Sequence, residues 1–345
     1  MRYKLLGRSG LRVSEICLGT MTFGTDWGWG ADKEESRRIL DTYANAGGNF
    51  LDTANRYTEG TSETWLGEFI SADRDHWVLA TKYSLKDRDG DPNFSGNHRK
   101  NMMRSVEASL RRLNTDHIDL LWVHAWDGMT PVEEVMRGLD DLVSQGKVHY
   151  IGVSDTPAWI VSRANTMAEL RGWSAFVALQ VEYSLLQRTP ERDLLPMAQA
   201  FGMSMTAWAP LAGGALTGKY LVQQEEPKRL SAESKRLNDR NSDIARKVVA
   251  IASELHVAPA QVALNWVRQQ HPGYIPIVGA RKAEQLANSL GCLSFHIPPD
   301  MLEQLNECRA IDPGFPHDFL ASDGVRNVLY GGTYNQIDKP LVPKL

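Results

Sequence analysis

The stretch from Trp77 to His124, WVLATKYSLKDRDGDPNFSGNHRKNMMRSVEASLRRLNTDHIDLLWVH, contains one complete strand–helix–strand unit. Trp77 to Thr81 is a short apolar run, which is typical of a buried strand. The segment Arg99 to Leu113 has helical periodicity. Its apolar residues recur on one face at Met103, Val106, Leu110 and Leu113. A second apolar run, His117 to Val123, follows, and this order predicts two parallel strands joined by a crossover helix.

The same rhythm continues along the chain in both directions and predicts a parallel sheet of βαβ units. From Glu15 onward there are about eight units, the number at which a parallel sheet closes. We therefore predict the α/β class and a (β/α)8 TIM barrel. The predicted strands are Glu15–Leu18, Asn49–Asp52, Trp77–Thr81, His117–Val123, Val148–Val153, Phe176–Val181, Ser204–Ala209 and Ile275–Val278. The predicted helices are Lys33–Ala46, one that starts near an N-cap at Ser62, Arg99–Leu113, Pro131–Gly146, one that Pro157 opens, Asp193–Phe201, Asp243–Leu255, Pro259–Gln270 and Lys282–Leu290.

Three segments lie outside this repeat. Tyr3–Leu6 and Leu11–Val13 flank a glycine turn and predict an N-terminal β-hairpin. Val222–Arg240 is strongly polar and predicts a loop, and Phe315–Leu345 carries several Pro and Gly and predicts a tail that wraps the barrel. We expect one domain over residues 1–345, with the barrel core at about 15–311 and a C-terminal extension at 312–345.

The composition is that of an ordinary globular protein. Of 345 residues 42% are apolar and 23% charged, and the formal net charge is -4. This charge gives no reason to expect nucleic acid or an anionic membrane as a partner. Cys17, Cys292 and Cys308 do not indicate a disulfide framework. Because a signal peptide and a membrane-spanning run are also missing, we expect a cytoplasmic protein.

Four ionisable residues are predicted to meet at one end of the barrel. Asp52 ends the second strand, and Tyr57 follows it. Lys82 and His124 end the third and fourth strands. Active sites of (β/α)8 barrels form at the carboxyl ends of the strands. Each residue alone has an ordinary structural explanation, but four on one rim favour a catalytic site.

This residue set suits the reduction of a carbonyl group. A carbonyl that accepts hydride needs a proton, which Tyr57 would donate, and the ammonium of Lys82 would lower the tyrosine pKa from about 10. Asp52 would pair with Lys82, and His124 would hydrogen-bond the carbonyl oxygen. No Ser or Cys nucleophile has an evident His partner, and closely spaced His pairs are absent. We therefore predict neither a hydrolase nor a metal ion.

Hydride transfer requires a cofactor, yet the fingerprint G-x-G-x-x-G is absent. The best candidate for a phosphate site is Ile277–Lys282, where a strand meets a helix. Gly279 permits close backbone approach there, and Arg281 offers a planar guanidinium. A simple barrel turn explains the glycine equally well.

Several segments together resemble the aldo-keto reductases. They are Ile16–Met21, Phe50–Ala54 with Tyr57, Thr81–Lys82, His124, Gly152–Ser154, Gln180–Leu186, Ala209–Leu216 and Gly279–Arg281. The resemblance runs in order to about Ile311 and is nearest to the bacterial branch with a long loop after strand seven. It implies an NADP(H)-dependent reductase of small aldehydes or ketones, with Tyr57 as proton donor.

The resemblance also implies the cofactor contacts. Ser154 and Gln180 would bind the nicotinamide carboxamide, and Tyr183 would stack on the ring. Leu211, Gly213, Leu216 and Lys219 would hold the pyrophosphate. Gly279, Arg281, Gln285 and Asn288 would surround the adenosine and its 2′-phosphate, and Gly19, Thr20 and Met21 complete the set. Two residues depart from the family pattern: Asp155 stands where Asn is usual, and Ala209 where Ser is common.

Aromatic residues in the loops after strands one, three and four predict an apolar or sugar-like carbonyl substrate. They are Trp27, Trp29, Tyr83, Phe94 and Trp126. Any one of them alone would also serve to pack loops together. Arg56, beside Tyr57, would either meet an anionic substrate or be solvated. The sequence leaves the oligomeric state open.

Two other functions fit the same residues. One is a cofactor-binding regulatory subunit with little turnover, of the kind represented by the related potassium-channel β subunits. The complete tetrad of Asp52, Tyr57, Lys82 and His124 argues against lost catalysis but leaves slow catalysis open. The other is a phosphate-binding isomerase or lyase that uses Lys82 as a Schiff base, which borohydride would trap.

Overall fold

A closed barrel of eight parallel strands forms the centre of the molecule in this computed structural model, which describes residues 1–221, 230–231 and 233–338. The strands are β3 (Cys17–Gly19), β4 (Phe50–Asp52), β5 (Val78–Tyr83), β6 (Ile118–Val123), β7 (Val148–Ser154), β8 (Phe176–Glu182), β9 (Ser204–Trp208) and β10 (Tyr274–Val278). They follow one another in chain order, and β10 pairs with β3 to close the ring. The predicted (β/α)8 TIM barrel is confirmed.

A short antiparallel hairpin precedes the barrel, as predicted. Its strands are β1 (Tyr3–Leu5) and β2 (Arg12–Ser14). Leu6 and Val13 are fully buried in the same hydrophobic cluster as the barrel interior. The amide of Gly7 donates to the hydroxyl of Ser204 at 2.7 Å, at the start of β9. The hairpin therefore covers the N-terminal end of the barrel.

Twelve α-helices lie within the described residues. They are α1 (Lys33–Asn45), α2 (Thr61–Ile70), α3 (Arg99–Leu113), α4 (Val132–Ser144), α5 (Ala158–Arg171), α6 (Leu194–Ala200), α7 (Asp239–Glu254), α8 (Pro259–Gln270), α9 (Ala283–Leu290), α10 (Pro299–Glu307), α11 (His317–Ala321) and α12 (Asp323–Tyr330). The first nine correspond to predicted helices, and the last three were not predicted. No single helix of the described chain is long and apolar enough to cross a membrane. Helices α7 and α8 meet that test only as a pair, bent by 100°.

Side chains of each barrel strand alternate between the interior and the helix layer. On β6, Leu120 and Trp122 belong to the interior cluster, whereas Leu121 and Val123 belong to the cluster formed with the outer helices. Trp122 is fully buried and fills the middle of the barrel. This alternation decides which residues of a strand reach the site at its end.

The start of α2 differs from the prediction of an N-cap at Ser62. Thr58, Glu59 and Gly60 have φ values of 46°, 56° and 95°, and they turn the chain into a helix that begins at Thr61. The hydroxyl of Ser62 instead donates to the carbonyl of Thr20 at 2.8 Å. Thr58, in the left-handed turn that spacing alone does not reveal, accepts from the amide of Ser62 at 3.2 Å through its hydroxyl.

The two irregular segments also differ in part from expectation. Helix α7 begins at Asp239, inside the predicted loop Val222–Arg240, of which residues 222–229 and 232 lie outside the described residues. The predicted tail contains α11 and α12, and residues 339–345 lie outside the described residues. No residue of α11 or α12 is buried, so these helices do not wrap closely around the barrel.

Candidate active site

The four candidate catalytic residues come from neighbouring strands. Asp52 is the last residue of β4, Lys82 lies near the end of β5, and His124 directly follows β6. In the strand register Asp52 faces Ala80 and Lys82 faces Trp122, so the strand ends lie side by side at the carboxyl rim. Tyr57 reaches the same place from the loop after β4. The structure thus brings all four residues together.

Lys82 is the centre of the cluster and is fully buried. Its ammonium donates to Asp52 Oδ2 at 2.6 Å, to Tyr57 Oη at 2.9 Å and to the carbonyl of Thr53 at 2.9 Å. All three ammonium protons are therefore engaged. The rings of Tyr57 and His124 meet edge to face, with centroids 6.0 Å apart.

A second set of contacts holds Asp52. The side-chain amide of Gln180 donates to Asp52 Oδ1 at 3.0 Å, so both carboxylate oxygens have donors. The backbone carbonyl of Asp52 accepts from the amide and the hydroxyl of Thr20. The fully buried Thr20 side chain is thus bonded to the protein itself, although sequence reasoning assigned it to the cofactor.

Burial sets the protonation states of the site. Burial raises the pKa of Tyr57 above 10, and the nearby ammonium of Lys82 opposes that shift only in part. Burial works against the charge on Lys82, but Asp52 and Tyr57 together raise its pKa above the ordinary value. Burial, and then Lys82, lower the pKa of His124 well below 6.5. At neutral pH the cluster therefore holds a neutral tyrosine, an ammonium and a neutral imidazole.

The pKa of Tyr57 corrects one sequence-based expectation. Lys82 was expected to bring it down towards neutrality, but the tyrosine is half-buried and its loss of solvation is the larger effect. The consequence is a tyrosine that holds its proton until a stronger base, such as an alkoxide, develops beside it.

Strained backbone is concentrated around this rim. Eight non-glycine residues of the described chain have a left-handed backbone, a conformation that costs about 1–3 kcal/mol. Six of them lie in loops that follow the carboxyl ends of β4, β5, β7 and β9. These six are Thr58, Glu59, Ser84, Asp155, Ala209 and Ala212. Such residues cluster at functional sites, which supports this rim as the site.

Tyr183, which was predicted to stack on the nicotinamide, does not face the rim. It is buried in the helix layer, where its ring stacks on Trp266 with centroids 5.2 Å apart. Its hydroxyl donates to Glu191 at 2.7 Å. The reason is strand alternation: Gln180 faces the interior, so Val181 and Tyr183 point outward.

The aromatic side chain that faces the barrel interior at the rim is Trp208, and sequence reasoning missed it. It is the last residue of β9 and packs at the edge of the interior cluster. Met205 and Ala207 belong to the outer cluster, so alternation along β9 would have identified Trp208 as an interior residue. Its indole N–H donates to Asp155 Oδ1 at 3.2 Å.

Asp155 follows β7 directly, beside the buried Ser154. Its backbone is left-handed, with a φ of 42°, and its amide bonds to the carbonyl of Gln180. Burial raises the pKa of its carboxyl group. The amide of Trp126 bonds to the carbonyl of Asp155 at 3.4 Å, so this loop joins the rim to one predicted pocket residue.

Of the predicted substrate-pocket residues, Trp27 and Trp29 lie beside the loop that carries Tyr57, whereas Tyr83 points away from the barrel interior. The rings of Trp27 and Trp29 lie 5.9 Å apart, and the indole N–H of Trp27 donates to Glu59, two residues from Tyr57. Arg56 pairs with Glu59 and lies over the ring of Trp27. The assignment of Tyr83 to the pocket is wrong. It is fully buried in the outer cluster and bonds to the carbonyl of Asn97, because Lys82 beside it occupies the interior face.

Phe94 packs between two guanidinium groups, those of Arg88 at 3.9 Å and Arg104 at 4.1 Å from its ring centre. Asp87 binds Arg104 at 2.7 Å and accepts from the side chain of Asn55 at 2.5 Å. These contacts tie the loop after β5 to the loop after β4. Phe94 thus has a packing role in the described structure.

The residues assigned to the phosphates occupy two turns at the same rim. Gly213 and Gly214, after β9, have φ values of 69° and 92°. The second turn joins β10 to α9, where the amide of Arg281 donates to Gln285 Oε1 at 3.1 Å. Leu211 packs against the hydrophobic cluster that contains Ala280, so the two turns are connected.

The other residues assigned to the cofactor differ in which of their groups a ligand could contact. The side chain of Leu216 is fully buried, which leaves only its backbone for a ligand. The side chain of Asn288 accepts from Gln261 at 3.0 Å. Lys219 lies over the ring of Tyr220, and a side chain on Gly19 would collide with Ile277. Met21 is partly exposed and Gly279 is exposed, and both lie at this rim.

An eight-stranded barrel with a Tyr–Lys–Asp–His cluster at its carboxyl rim defines the class of protein. The chain matches the Aldo/keto reductase family over residues 15–310, and it belongs to that family. It is 40% identical to an aryl-alcohol dehydrogenase [NADP(+)] of Phanerodontia chrysosporium, over 91% of this chain and 87% of the relative. It is 38% identical to norsolorinic acid reductase A of Aspergillus parasiticus, over 90% of this chain and 82% of the relative.

A third relative is the norsolorinic acid reductase of Aspergillus flavus, 37% identical over 92% of this chain and 83% of the relative. All three relatives are fungal proteins. The expected closeness to the bacterial branch of the family is therefore not supported.

Proposed function

We propose that this protein reduces an aldehyde or ketone to an alcohol with NADPH, and that Tyr57 donates the proton. The observation that carries the proposal is the 2.9 Å hydrogen bond from the ammonium of the fully buried Lys82 to Tyr57 Oη. NADPH, when bound, would supply the hydride that the carbonyl carbon accepts. The carbonyl oxygen takes the proton of Tyr57, and the ammonium of Lys82 stabilises the tyrosinate that remains.

His124 suits the task of orienting the carbonyl. Because its pKa is low, the imidazole is neutral and carries one N–H that can donate to the carbonyl oxygen. Its Nδ1 is buried and has no partner among the described residues, while the side chain as a whole is partly exposed, so the other ring nitrogen, Nε2, is the atom that would meet a bound carbonyl.

The residues at the rim fit a nicotinamide dinucleotide. Ser154 and Gln180 offer buried polar groups for the carboxamide, and Trp208 offers an aromatic face beside them. Arg281, at the turn before α9, would pair with the 2′-phosphate that distinguishes NADPH from NADH. The name of the Phanerodontia chrysosporium relative, which specifies NADP(+), agrees with this choice.

Aromatic carbonyl compounds are the substrates that the rim suits best. Trp27 and Trp29 supply flat apolar surfaces next to the loop that carries Tyr57, and the same relative is named for aryl alcohols. The Schiff-base alternative fits poorly, because every proton of the Lys82 ammonium is engaged and its pKa is raised. A charged amine has no lone pair with which to attack a carbonyl.

The first prediction concerns activity and cofactor choice together. Purified protein is expected to oxidise NADPH in the presence of aromatic aldehydes such as benzaldehyde, followed at the near-ultraviolet absorbance of NADPH. Arg281→Ala should raise the KM for NADPH about tenfold or more, the cost of one charge-assisted hydrogen bond, and change the KM for NADH little.

The control variant is Arg246→Ala, since Arg246 is an exposed arginine of α7. If none of a series of aromatic aldehydes and ketones leads to oxidation of NADPH, the proposed function is contradicted. Equal losses for the two cofactors would contradict only the role of Arg281.

A further inference from the structure

A second cluster of ligand-type side chains lies at the opposite end of the barrel. His117 directly precedes β6, Asp119 is its second residue, and His149 is the second residue of the neighbouring strand β7. Ile118 faces Val148 in the strand register, so the three side chains emerge from adjacent strand starts. The tetrad lies at the strand ends. The cluster is therefore separate from the proposed carbonyl chemistry.

The three side chains are close enough to share one ion. One ligand atom from each lies within 4.8 Å of the others. The imidazole rings of His117 and His149 stack with centroids 4.6 Å apart, and Nδ1 of His149 lies 3.7 Å from Asp119 Oδ1. Two ligands bound tetrahedrally to zinc at 2.0–2.1 Å are about 3.3 Å apart. One imidazole would have to turn out of the stack for the in-plane nitrogen lone pairs of both rings to converge on one ion.

Outer contacts already orient two of the three ligands. Nδ1 of His117 lies 2.7 Å from Asp116 Oδ1, so an N–H there donates to the carboxylate and leaves Nε2 as a ligand atom. Asp119 Oδ2 accepts from Arg74 at 2.7 Å and from the amide of Leu79 at 3.0 Å, which leaves Oδ1 for an ion. Carboxylates behind ligating histidines are typical of metal sites.

The local charge also favours a cation. Asp116 and Asp119 contribute two negative charges, and Arg74 contributes one positive charge. Arg74 is itself held by the carbonyls of Trp77 and His117 and by the hydroxyl of Thr115. It is therefore fixed on the Oδ2 side of Asp119, away from the atom that an ion would use.

We propose that His117, Asp119 and His149 form a binding site for Zn²⁺, with water completing the coordination. Two imidazoles and one carboxylate suit zinc, whereas Mg²⁺ prefers oxygen ligands and keeps its waters. The ion would join the starts of β6 and β7. Because it would bind the folded chain and not the unfolded chain, it would raise the free energy of unfolding. The earlier prediction of no metal considered only histidines close together in the chain, and these two lie on different strands.

The test is a zinc titration of tag-free, EDTA-treated and buffer-exchanged protein by isothermal calorimetry. One equivalent of Zn²⁺ is expected to bind and to raise the melting temperature, while MgCl2 does neither. His149→Asn and His117→Asn should each weaken zinc binding at least tenfold, and Asp116→Asn should weaken it 10–100-fold as an outer contact. His149 is 46% exposed, so its replacement leaves the core untouched.

His296→Asn is the matched control, because this exposed histidine lies elsewhere on the surface. Every variant should keep wild-type reductase activity, so the outcome is independent of the proposed function. The proposal is overturned if the wild-type protein binds no zinc saturably. It is also overturned if His117→Asn and His149→Asn, with native circular dichroism spectra, bind zinc as tightly as the wild type.

Discussion

Lys82 shows how one buried residue organises the candidate site. A buried ammonium is costly unless partners surround it, and Lys82 has Asp52, Tyr57 and a backbone carbonyl. Removing one partner of a buried ion pair costs about 3–5 kcal/mol. The lysine is therefore held as a fixed positive charge beside Tyr57, which suits a group that stabilises a developing tyrosinate.

At the residue scale, the contact between Asp155 and Trp208 yields the second prediction. Asp155→Ala removes the acceptor of the Trp208 indole N–H, so it should weaken NADPH binding about tenfold, the cost of a hydrogen bond to a charged group. Asp155→Asn should restore most of the affinity, because asparagine keeps an acceptor and tolerates the left-handed backbone. The quenching of Trp fluorescence on titration with NADPH measures the affinity.

Asp243→Ala, at an exposed carboxylate of α7, provides the control. If Asp155→Asn binds NADPH as weakly as Asp155→Ala, then the negative charge rather than the hydrogen bond matters, and the positioning role is wrong.

The individual residues show what the sequence could predict. Asp52, Lys82 and His124 were found because a strand end is easy to recognise from an apolar run. Tyr183 was misassigned because its position relative to the alternation of β8 was not considered, and the same rule would have revealed Trp208. The pKa of Tyr57 could not be read from the sequence, because it depends on burial.

At the element scale, the interior of the barrel explains a glycine in β7. A Cβ atom on Gly152 would lie 2.4 Å from the ring of Trp122 and 3.2 Å from the carbonyl of Ala178. The buried indole of Trp122 fills the space that a side chain on β7 would need. Gly152 is thus required by packing between neighbouring strands.

The third prediction follows from that contact. Gly152→Ala should lower the free energy of unfolding by about 1–3 kcal/mol, the usual cost of overpacking a core. Urea denaturation followed by far-ultraviolet circular dichroism provides the measurement. Gly10→Ala, where a Cβ atom meets nothing within 4 Å, should leave the stability nearly unchanged. A Gly152→Ala protein as stable as the wild type would show that Trp122 moves aside without cost.

Element types were easier to predict than element boundaries. Helix α3 was predicted with its observed bounds because its apolar face is regular. Helix α2 was misplaced at its start because the turn before it depends on left-handed residues. Helices α11 and α12 were missed because they are short, with five and eight residues, and bury no residue against the barrel.

On the scale of the whole molecule, the two ends of the barrel differ in character. The carboxyl end carries most of the left-handed non-glycine residues and the cluster of Asp52, Tyr57, Lys82 and His124. The amino end is covered by the hairpin and carries the proposed zinc site. The closed order of strands was predictable from the alternation of strands and helices, because sequential parallel strands pair as neighbours. The cluster of His117, Asp119 and His149 was not predictable, since it depends on the register between β6 and β7.

The central claim is that the barrel delivers the proton of Tyr57 to a carbonyl group, and one measurement tests it most directly. The rate of NADPH oxidation by an aromatic aldehyde is measured in a single turnover for wild type, Tyr57→Phe and the exposed control Tyr3→Phe. We predict that Tyr57→Phe lowers the rate by about 10²–10⁴-fold while NADPH binding is retained, and that Tyr3→Phe changes neither. A Tyr57→Phe protein that reduces the aldehyde at the wild-type rate would contradict the claim.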